Sequence, residues 1–242
     1  MLIFIFILIF IIIVLLMQQY NNINIKILTK KELQLILINN NDNYYNTFSD
    51  LDLYVRNVKN IKEYKQKIML APININKPLQ NKIKETVQKI NLLFYNYKIV
   101  GFDGKKANKI PWIIGIIDNN IYENGLPHTR DDTIILPKNI LTSDNLLSTL
   151  IHEKIHIYQK LYPNDINKYL KYNNFIKINK IYKNKRANPD IDNYIYMRNN
   201  KEYKCLYNIP NDFNDVIYYP INKSRYEHPF EYMAYKIQKN IL

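Results

Sequence analysis

Two histidines, His152 and His156, stand four residues apart in the stretch TLIHEKIHIYQK (149–160), and Glu153 directly follows the first. On an α-helix, side chains four residues apart share one face, with Cβ atoms about 5–6 Å from each other. Two imidazoles placed in this way can bind one zinc ion at Zn–N distances of roughly 2.0–2.1 Å. Glu153 is rotated about 100° around the helix from His152, so it can reach a water molecule beside the metal. The spacing therefore predicts a zinc site in which Glu153 acts as a general base.

The helix that must carry these side chains is predicted over residues 144–162. Ser143 or Asp144 can cap its first turn, and Pro163 ends it because proline cannot continue a helix. The apolar side of this segment consists of Leu147, Ile151, Ile155 and Tyr158. The alternative interpretation is an ordinary amphipathic helix with two surface histidines beside a salt-bridged glutamate.

Further helices and strands surround this segment in an order typical of an α+β fold. Amphipathic helices are predicted over 48–68, with Ser49 or Asp50 as the cap, over 77–94 and over 228–242. Short apolar runs predict strands at 97–102, 111–117 and 133–137, with turn residues between them. The tyrosine-rich region 164–226 shows few clear elements. We therefore expect one α+β domain over residues 48–242, with a small mixed sheet ahead of the histidine-bearing helix.

The chain carries a formal net charge of +13, from 34 basic and 21 acidic residues. Such a charge can attract nucleic acid or anionic lipid, but here the lysines are dispersed among frequent isoleucine, asparagine and tyrosine. That composition is typical of an A+T-rich genome, and no nucleic-acid partner is expected. The single cysteine, Cys205, excludes a disulfide within the chain and a cysteine-based zinc cluster. Histidine and carboxylate ligands are therefore expected for a metal.

An unbroken apolar run, MLIFIFILIFIIIVLLM, occupies residues 1–17, and the polar segment 18–47 that follows is predicted to be a tether. As a helix the run would be roughly 26 Å long, slightly shorter than a bilayer core of about 30 Å. No basic residue precedes it and no small-residue cleavage site follows, so an uncleaved single-pass membrane anchor is predicted. A cleaved signal peptide, which would give a secreted protein, and a buried core helix are the alternatives. The lysines after the run and one glycosylation sequon at Asn222 do not decide the side of the membrane.

The motif HEKIH (152–156) resembles the HExxH active-site helix of zinc metallopeptidases, the zincins. The metzincin branch of that family would require glycine at position 159 and histidine at position 162, where this chain has Gln159 and Tyr162. In the gluzincin branch, a glutamate on a later helix supplies the third zinc ligand. The resemblance therefore implies a gluzincin-like domain that holds one zinc ion and hydrolyses a peptide or protein substrate.

The stretch EHPFEYMAY (227–235) resembles the second gluzincin motif and makes Glu231 the predicted third zinc ligand. Ala234, one turn further along, is small enough to let this helix approach the histidine-bearing helix closely. The competing candidates are Glu227, His228, Asp165, Asp190, Asp192, Asp212 and Asp215. Between the two motifs, residues 186–196 are expected to form a wall of the cleft.

The resemblance also implies groups that bind the substrate and orient the ligands. Zincins lay an extended substrate along an edge strand ahead of the HExxH helix, and residues 131–137 are the candidate here. The alternative interpretation of the same residues is a plain core strand. Tyr226 and His228 are candidates for stabilising the oxyanion. Tyr235 stands where gluzincins frequently have an aspartate that orients a ligand histidine, so Asp215 is considered for that role.

Taken together, the motifs predict a membrane-anchored zinc metallopeptidase in which His152, His156 and Glu231 hold the metal. One alternative is a catalytically inactive, membrane-tethered zincin-like domain that keeps the metal and binds a partner. Another is a basic protein that binds nucleic acid or an anionic membrane. Only the first alternative shares the metal site, and it differs from the enzyme in what Glu153 does.

Overall fold

The computed structural model describes residues 23–208, 212–220 and 226–242. Within them, a mixed α+β fold with small sheets is confirmed. The helices are α1 (Lys30–Ile38), α2 (Asp50–Val55), α3 (Ile61–Ile68), α4 (Lys77–Tyr95), α5 (Gly104–Lys109), α6 (Leu146–Leu161), α7 (Pro163–Tyr172) and α8 (Pro229–Ile241). The strands are β1 (Ile25–Ile27), β2 (Lys98–Ile99), β3 (Phe102–Asp103), β4 (Trp112–Ile117), β5 (His128–Arg130), β6 (Thr133–Pro137), β7 (Ile176–Ile178), β8 (Ile195–Arg198), β9 (Lys201–Tyr207) and β10 (Val216–Tyr219).

The first sheet has the strand order β1-β4-β6-β5, with β5 antiparallel to the three parallel strands. β4 and β6 are nearly continuous apolar runs because helices cover both faces of the sheet. Ile114 and Leu136 pack in one core with α4, α6 and α8, while Ile135 packs in a second core with α1 and α3. The predicted strand at 133–137 is therefore confirmed, and so is most of the strand at 111–117.

The second sheet, β10-β9-β8-β7, is antiparallel and lies in the region where the sequence shows few clear elements. The turn between β8 and β9 consists of Asn199 and Asn200, with φ angles of 51° and 58°. A two-residue hairpin turn of this kind needs left-handed backbone at both positions, which asparagine adopts more readily than most residues. The Asn-Asn pair is thus the local sequence feature that indicates the β8–β9 hairpin of this sheet.

The histidine-bearing helix α6 is buried along most of its length. The Nζ atom of Lys154 donates hydrogen bonds to the carbonyl oxygens of Ile110 (2.7 Å) and Pro111 (3.0 Å), and it lies 4.3 Å from the centre of the Trp112 ring. Burial lowers the pKa of Lys154 to about 7. These contacts fix the helix against the start of β4, so its histidine face is held at a defined position.

Two predicted helix boundaries are corrected. The helix expected over 48–68 is interrupted between α2 and α3, where Asn57 has a left-handed φ of 55°. Ser49 does cap α2, through a capping box with Asp52. Helix α6 begins at Leu146, later than expected, and Pro163 starts α7 at its first position.

The tether predicted for residues 18–47 is also corrected over its described part, 23–47. Strand β1 pairs with β4, and α1 packs on the sheet through fully buried residues such as Leu37. A Cβ atom at Gly115 of β4 would stand 2.6 Å from Leu33 of α1, which shows how closely helix and strand approach. The segment is therefore part of the fold, because α1 buries Leu33 and Leu37 on the face that it turns towards the sheet.

The predicted single-pass membrane localisation is corrected as well. Among the described residues, no helix is long and apolar enough to cross a membrane. The longest of them, α4, has 19 residues and includes four lysines and a glutamate. The predicted apolar anchor at 1–17 lies outside the described residues.

Candidate metal centre

Helices α6 and α8 bring together the three predicted metal ligands, which we call the triad: His152, His156 and Glu231. The two histidines face α8 from successive turns of α6, and Glu231 lies in the first turn of α8. Ala234 is fully buried, as expected for a small residue where two helices pack closely. All three triad side chains are buried, and their ligand atoms lie within 4.8 Å of one another.

The ligand atoms of the triad converge on one point. The Nε2 atoms of His152 and His156 are 3.0 Å apart. The carboxylate oxygens of Glu231 lie 3.2 Å from Nε2 of His152 and 3.6 Å from Nε2 of His156. Two ligand atoms bound tetrahedrally to one zinc ion are separated by roughly 3.3 Å, so these distances fit a single ion.

Two glutamines determine which nitrogen of each imidazole faces the triad centre. Oε1 of Gln238 lies 3.1 Å from Nδ1 of His152, and Oε1 of Gln159 lies 2.9 Å from Nδ1 of His156. The amide nitrogen of Gln159 donates to the carbonyl oxygen of Phe230 at 2.9 Å, which fixes the orientation of that amide. With Nδ1 donating to the amide oxygen, each neutral imidazole presents the lone pair of its Nε2 atom to the triad centre.

The electrostatics of the triad favour a cation at its centre. Burial alone lowers the pKa of His156, but the negative charges of Glu231 and Asp190 outweigh it and raise that pKa to about 10. Burial raises the pKa of Glu231, and the two histidines overcome it and hold that pKa well below its ordinary value. The amide of Asn188 also donates to Glu231, at 3.3 Å. The centre thus attracts positive charge, whether a proton or a metal ion.

Glu153 lies beside the triad with 3% of its surface exposed. Its Oε2 atom is buried and has no hydrogen-bond partner. Burial and the nearby charge of Asp190 raise the pKa of Glu153 well above its ordinary value. Glu153 and two triad residues, His152 and Glu231, line a cavity of about 600 Å³. A buried carboxylate with an unused oxygen and a raised pKa is suited to accept a proton from a group in that cavity.

The competing ligand candidates lie elsewhere or have other partners. His228 caps α8 by accepting a hydrogen bond from the backbone of Phe230, and its Nε2 atom lies 3.1 Å from Asp192. Asp165 pairs with Lys106 at 2.7 Å. The remaining candidates, Glu227, Asp190, Asp212 and Asp215, are outside the ligand group that the described residues form.

The prediction of a substrate-binding edge strand at 131–137 is corrected, and the alternative of a core strand holds. Residues 133–137 form β6, an interior strand between β4 and β5, and the edge strands of this sheet are β1 and β5. The central residue of β5, Thr129, donates its backbone N–H to Asp190 (2.7 Å), and its carbonyl oxygen accepts a hydrogen bond from Lys160 (3.1 Å). Both backbone groups of Thr129 are therefore hydrogen-bonded to side chains.

Other predicted contributors are placed differently from what the motifs implied. Neither Tyr226 nor His228 belongs to the described residues that line the cavity. Asp215 bonds to Asn208 at 3.2 Å, so the glutamines, and not this aspartate, orient the ligand histidines. The expectation that residues 186–196 form a cleft wall is confirmed for residues 186–190, which line the cavity.

Sequence reasoning missed the residues that support the triad. Gln159 follows His156 by three positions and therefore lies on the same helix face, a signal that the spacing alone provides. Gln238 follows Glu231 by seven positions, which again returns to the same face. His128 was part of a predicted turn, whereas it lies in β5 and lines the cavity.

Comparison with known proteins yields no relative: no family model, no curated protein and no solved structure matches this chain.

Proposed function

We propose that this chain is a zinc-dependent metallopeptidase, in which His152, His156 and Glu231 hold the metal and Glu153 is the general base. The observation that carries the proposal is the convergence of two imidazole lone pairs and a carboxylate on one buried point, beside a glutamate with an unused oxygen. Lone pairs and a negative charge that face each other repel unless a cation lies between them. A metal ion satisfies all three groups at once.

The donor set supports a transition metal such as zinc over calcium and magnesium. Calcium and magnesium are bound mainly by oxygen atoms, whereas two imidazole nitrogens and one carboxylate suit a transition metal. Three protein ligands leave the fourth position of a tetrahedral zinc site open, as in catalytic zinc sites. The cavity next to the triad provides room for a water molecule and a substrate at that position.

A zinc ion at this site would lower the pKa of a water molecule and polarise a substrate carbonyl group. Glu153 would accept the proton of that water molecule as the water oxygen attacks the carbonyl carbon. The same carboxyl group would then deliver the proton to the leaving amine, which completes the cleavage of an amide bond. That the amide is a peptide bond rests on the resemblance of HEKIH to the zincin motif.

The first test is the metal content of the purified full-length chain, measured by plasma mass spectrometry after zinc is added and excess is removed. About one zinc ion per wild-type chain is expected, and His152→Ala should lose it. His228→Asn is a matched control, since asparagine can still cap α8 and His228 is outside the triad. A folded wild-type protein without bound metal would refute the proposal.

The second test separates an enzyme from a metal-holding domain that only binds a partner. Glu153→Gln keeps the shape of the side chain but removes the base, so it should retain the zinc and lose hydrolysis of a mixed peptide library. Loss of activity by a factor of at least about 100 is expected for a general base. If wild type and Glu153→Gln both bind zinc and neither cleaves any peptide, the binding role is favoured instead.

A further inference from the structure

The cavity beside the triad contains two kinds of buried polar group. Glu123 has partners on both of its carboxylate oxygens, and Asp190 has two donors on one oxygen, Oδ1. Glu123 pairs with Arg56 at 2.6 Å and also accepts a hydrogen bond from Tyr64, while Asp190 accepts hydrogen bonds from the backbone and the hydroxyl of Thr129. These hydrogen bonds tie Glu123 to Arg56 and Asp190 to β5, so both carboxylates have a structural role in the fold.

Glu227 and His128 differ from that pair because each has an unused acceptor. Glu227 is 4% exposed, and its Oε2 atom is buried without a hydrogen-bond partner. His128 is 2% exposed, and its Nδ1 atom bonds to the carbonyl oxygen of Leu126 at 2.8 Å. A carbonyl can only accept, so Nδ1 carries the proton and Nε2 carries a lone pair, and this Nε2 atom also has no partner.

A bound ligand can supply the hydrogen-bond donors that these two acceptors lack. Leaving a buried acceptor unsatisfied costs free energy, and native proteins therefore contain few of them. Both residues line the same cavity as Glu153, whose Oε2 atom has no partner either. Glu153 is assigned to the chemistry in the proposed function, which leaves Glu227 and His128 for recognition.

The closed edge of β5 limits how a substrate can lie in the cavity. An extended peptide binds to a sheet edge through free backbone N–H and carbonyl groups. At Thr129 both groups are already hydrogen-bonded, to Asp190 and Lys160. Recognition by added-strand pairing is therefore blocked there, and side chains in the cavity must contribute more of the specificity.

We infer that the cavity selects substrates by a cationic nitrogen group, with Glu227 accepting its hydrogen bonds and His128 accepting a further N–H. The inference deepens the proposed function and rests on it for the identity of the substrate as a peptide. Two parts of a peptide carry such a group: a free amino terminus and the side chain of lysine or arginine. The first source would make the protein an aminopeptidase, and the second would make it an endopeptidase that cleaves near basic residues.

Arg186 is the positive charge in the cavity wall that opposes this assignment. Its guanidinium group lies 5.4 Å from the ring centre of Phe213. Its charge favours the ionised form of Glu227, whereas burial and the charge of Glu231 outweigh it and raise the pKa of that carboxyl group to about 7. A cationic group bound beside Glu227 would in turn favour the ionised form. An acidic peptide in the test below measures directly whether Arg186 dominates recognition.

The test is peptide binding to the full-length Glu153→Gln protein with zinc added, measured by isothermal titration calorimetry so that no turnover interferes. The probes are N-acetyl-Ala-Ala-Ala-amide, the same peptide with a free amino terminus, N-acetyl-Ala-Lys-Ala-amide and N-acetyl-Ala-Glu-Ala-amide. At least one of the two cationic peptides should bind about tenfold or more tightly than the neutral one, the gain expected for a hydrogen bond to a charged group. The peptide that shows this gain identifies the source of the cationic group.

Glu227→Gln in the same background should abolish the preference, because the unused carboxylate oxygen becomes either an amide N–H donor or a neutral acceptor. Glu202→Gln is the matched control, since Glu202 pairs with Lys180 and Lys204 outside the cavity and should leave the preference unchanged. Circular dichroism and metal content confirm that each variant is folded and loaded. His128→Ala provides a second variant, for which a smaller loss of preference is expected.

Three results would overturn the inference: equal binding of all four peptides or of none, tightest binding of the acidic peptide, or a preference that survives in folded Glu227→Gln. None of these results bears on whether the wild-type protein holds zinc and cleaves the peptide library. Conversely, absence of zinc and of hydrolysis would refute the proposed function. The calorimetric preference for cationic peptides would still be measured independently of that result.

Discussion

The metal triad and a second buried group, the Arg56 cluster, are alike in burial and charge but differ in how their polar atoms are partnered. The Arg56 cluster consists of Arg56, Asp52, Glu123, Tyr44, Tyr64 and Tyr207. Its guanidinium group donates to Glu123 at 3.0 and 2.6 Å, to Asp52 at 3.2 Å and to two tyrosine hydroxyls. In the triad, by contrast, two lone pairs and a carboxylate face one another.

The difference separates a structural cluster from a functional one. In the Arg56 cluster, donors and acceptors of opposite charge satisfy each other within the fold, so the cluster joins α2 to the cavity wall without needing a ligand. In the triad and the adjoining cavity, several acceptors have no donor within the fold, and a bound cation and a substrate would complete them. A buried polar group therefore indicates function when its own fold leaves it incomplete.

The largest expected effect comes from removing a triad ligand. Glu231→Ala should reduce bound zinc from about one ion per chain to nearly none, because two histidines alone form an incomplete site. Arg56→Met, in the other cluster, should retain the metal in the molecules that remain folded. Plasma mass spectrometry on the folded fraction of both variants checks this. If Glu231→Ala kept its zinc, the third ligand would have to be another residue.

The next effect concerns the Arg56 cluster itself. Arg56→Met leaves Glu123 and Asp52 buried without their cation, which should lower the free energy of unfolding by about 3–5 kcal/mol. Urea denaturation followed by circular dichroism measures the change. The double variant Arg56→Met/Glu123→Gln should recover part of this loss, since it removes one of the uncompensated charges. A loss below about 1 kcal/mol in the single variant would show that the cluster is less critical than its contacts indicate.

The acid sensitivity of the Arg56 cluster follows from Glu123. Burial raises the pKa of Glu123, but the charge of Arg56 outweighs it and holds that pKa at about 2, below the ordinary 4.5. A lowered carboxyl pKa in the folded state contributes stability above about pH 4.5, and that contribution is lost as the pH falls towards 2. The shift corresponds to about 3 kcal/mol. Urea denaturation between pH 7 and pH 3 should show a weaker pH dependence for Glu123→Gln than for wild type, and parallel curves would contradict this.

The smallest expected effect is a change in zinc affinity when a glutamine beside the triad is replaced. Gln238→Leu removes the acceptor for Nδ1 of His152, so it should weaken zinc affinity by roughly 10–100-fold without emptying the site. Competition with a coloured zinc chelator measures the affinity. Gln80→Leu is the matched control, because Gln80 bonds to the carbonyl of Ile75 and does not line the cavity. Equal zinc affinities in the two variants would show that Gln238 does not orient His152 for metal binding.

Local spacing was enough to predict the parts of this protein that a single helix or strand contains. The i, i+4 pair His152 and His156, a helix cap at Ser49 and a strand at 133–137 all depend on residues close in sequence. Helical and strand periods place such residues on one face whatever the rest of the chain does. The sequence alone also identified Glu231 as a partner for the histidines, through the short second motif.

Tertiary structure decided everything that depends on contacts between distant segments. Gln238 meets His152 across 86 residues, and Asp190 reaches Thr129 across 61 residues to close the edge of β5. The tether at 23–47 became part of the core, because burying Leu33 and Leu37 against the sheet outweighs the polar character of the segment. Periodicity reports which face of an element is apolar, but not which other element covers it. For that reason the ligand pair could be predicted from the sequence, whereas the unused acceptors of the cavity emerged only once the chain was folded.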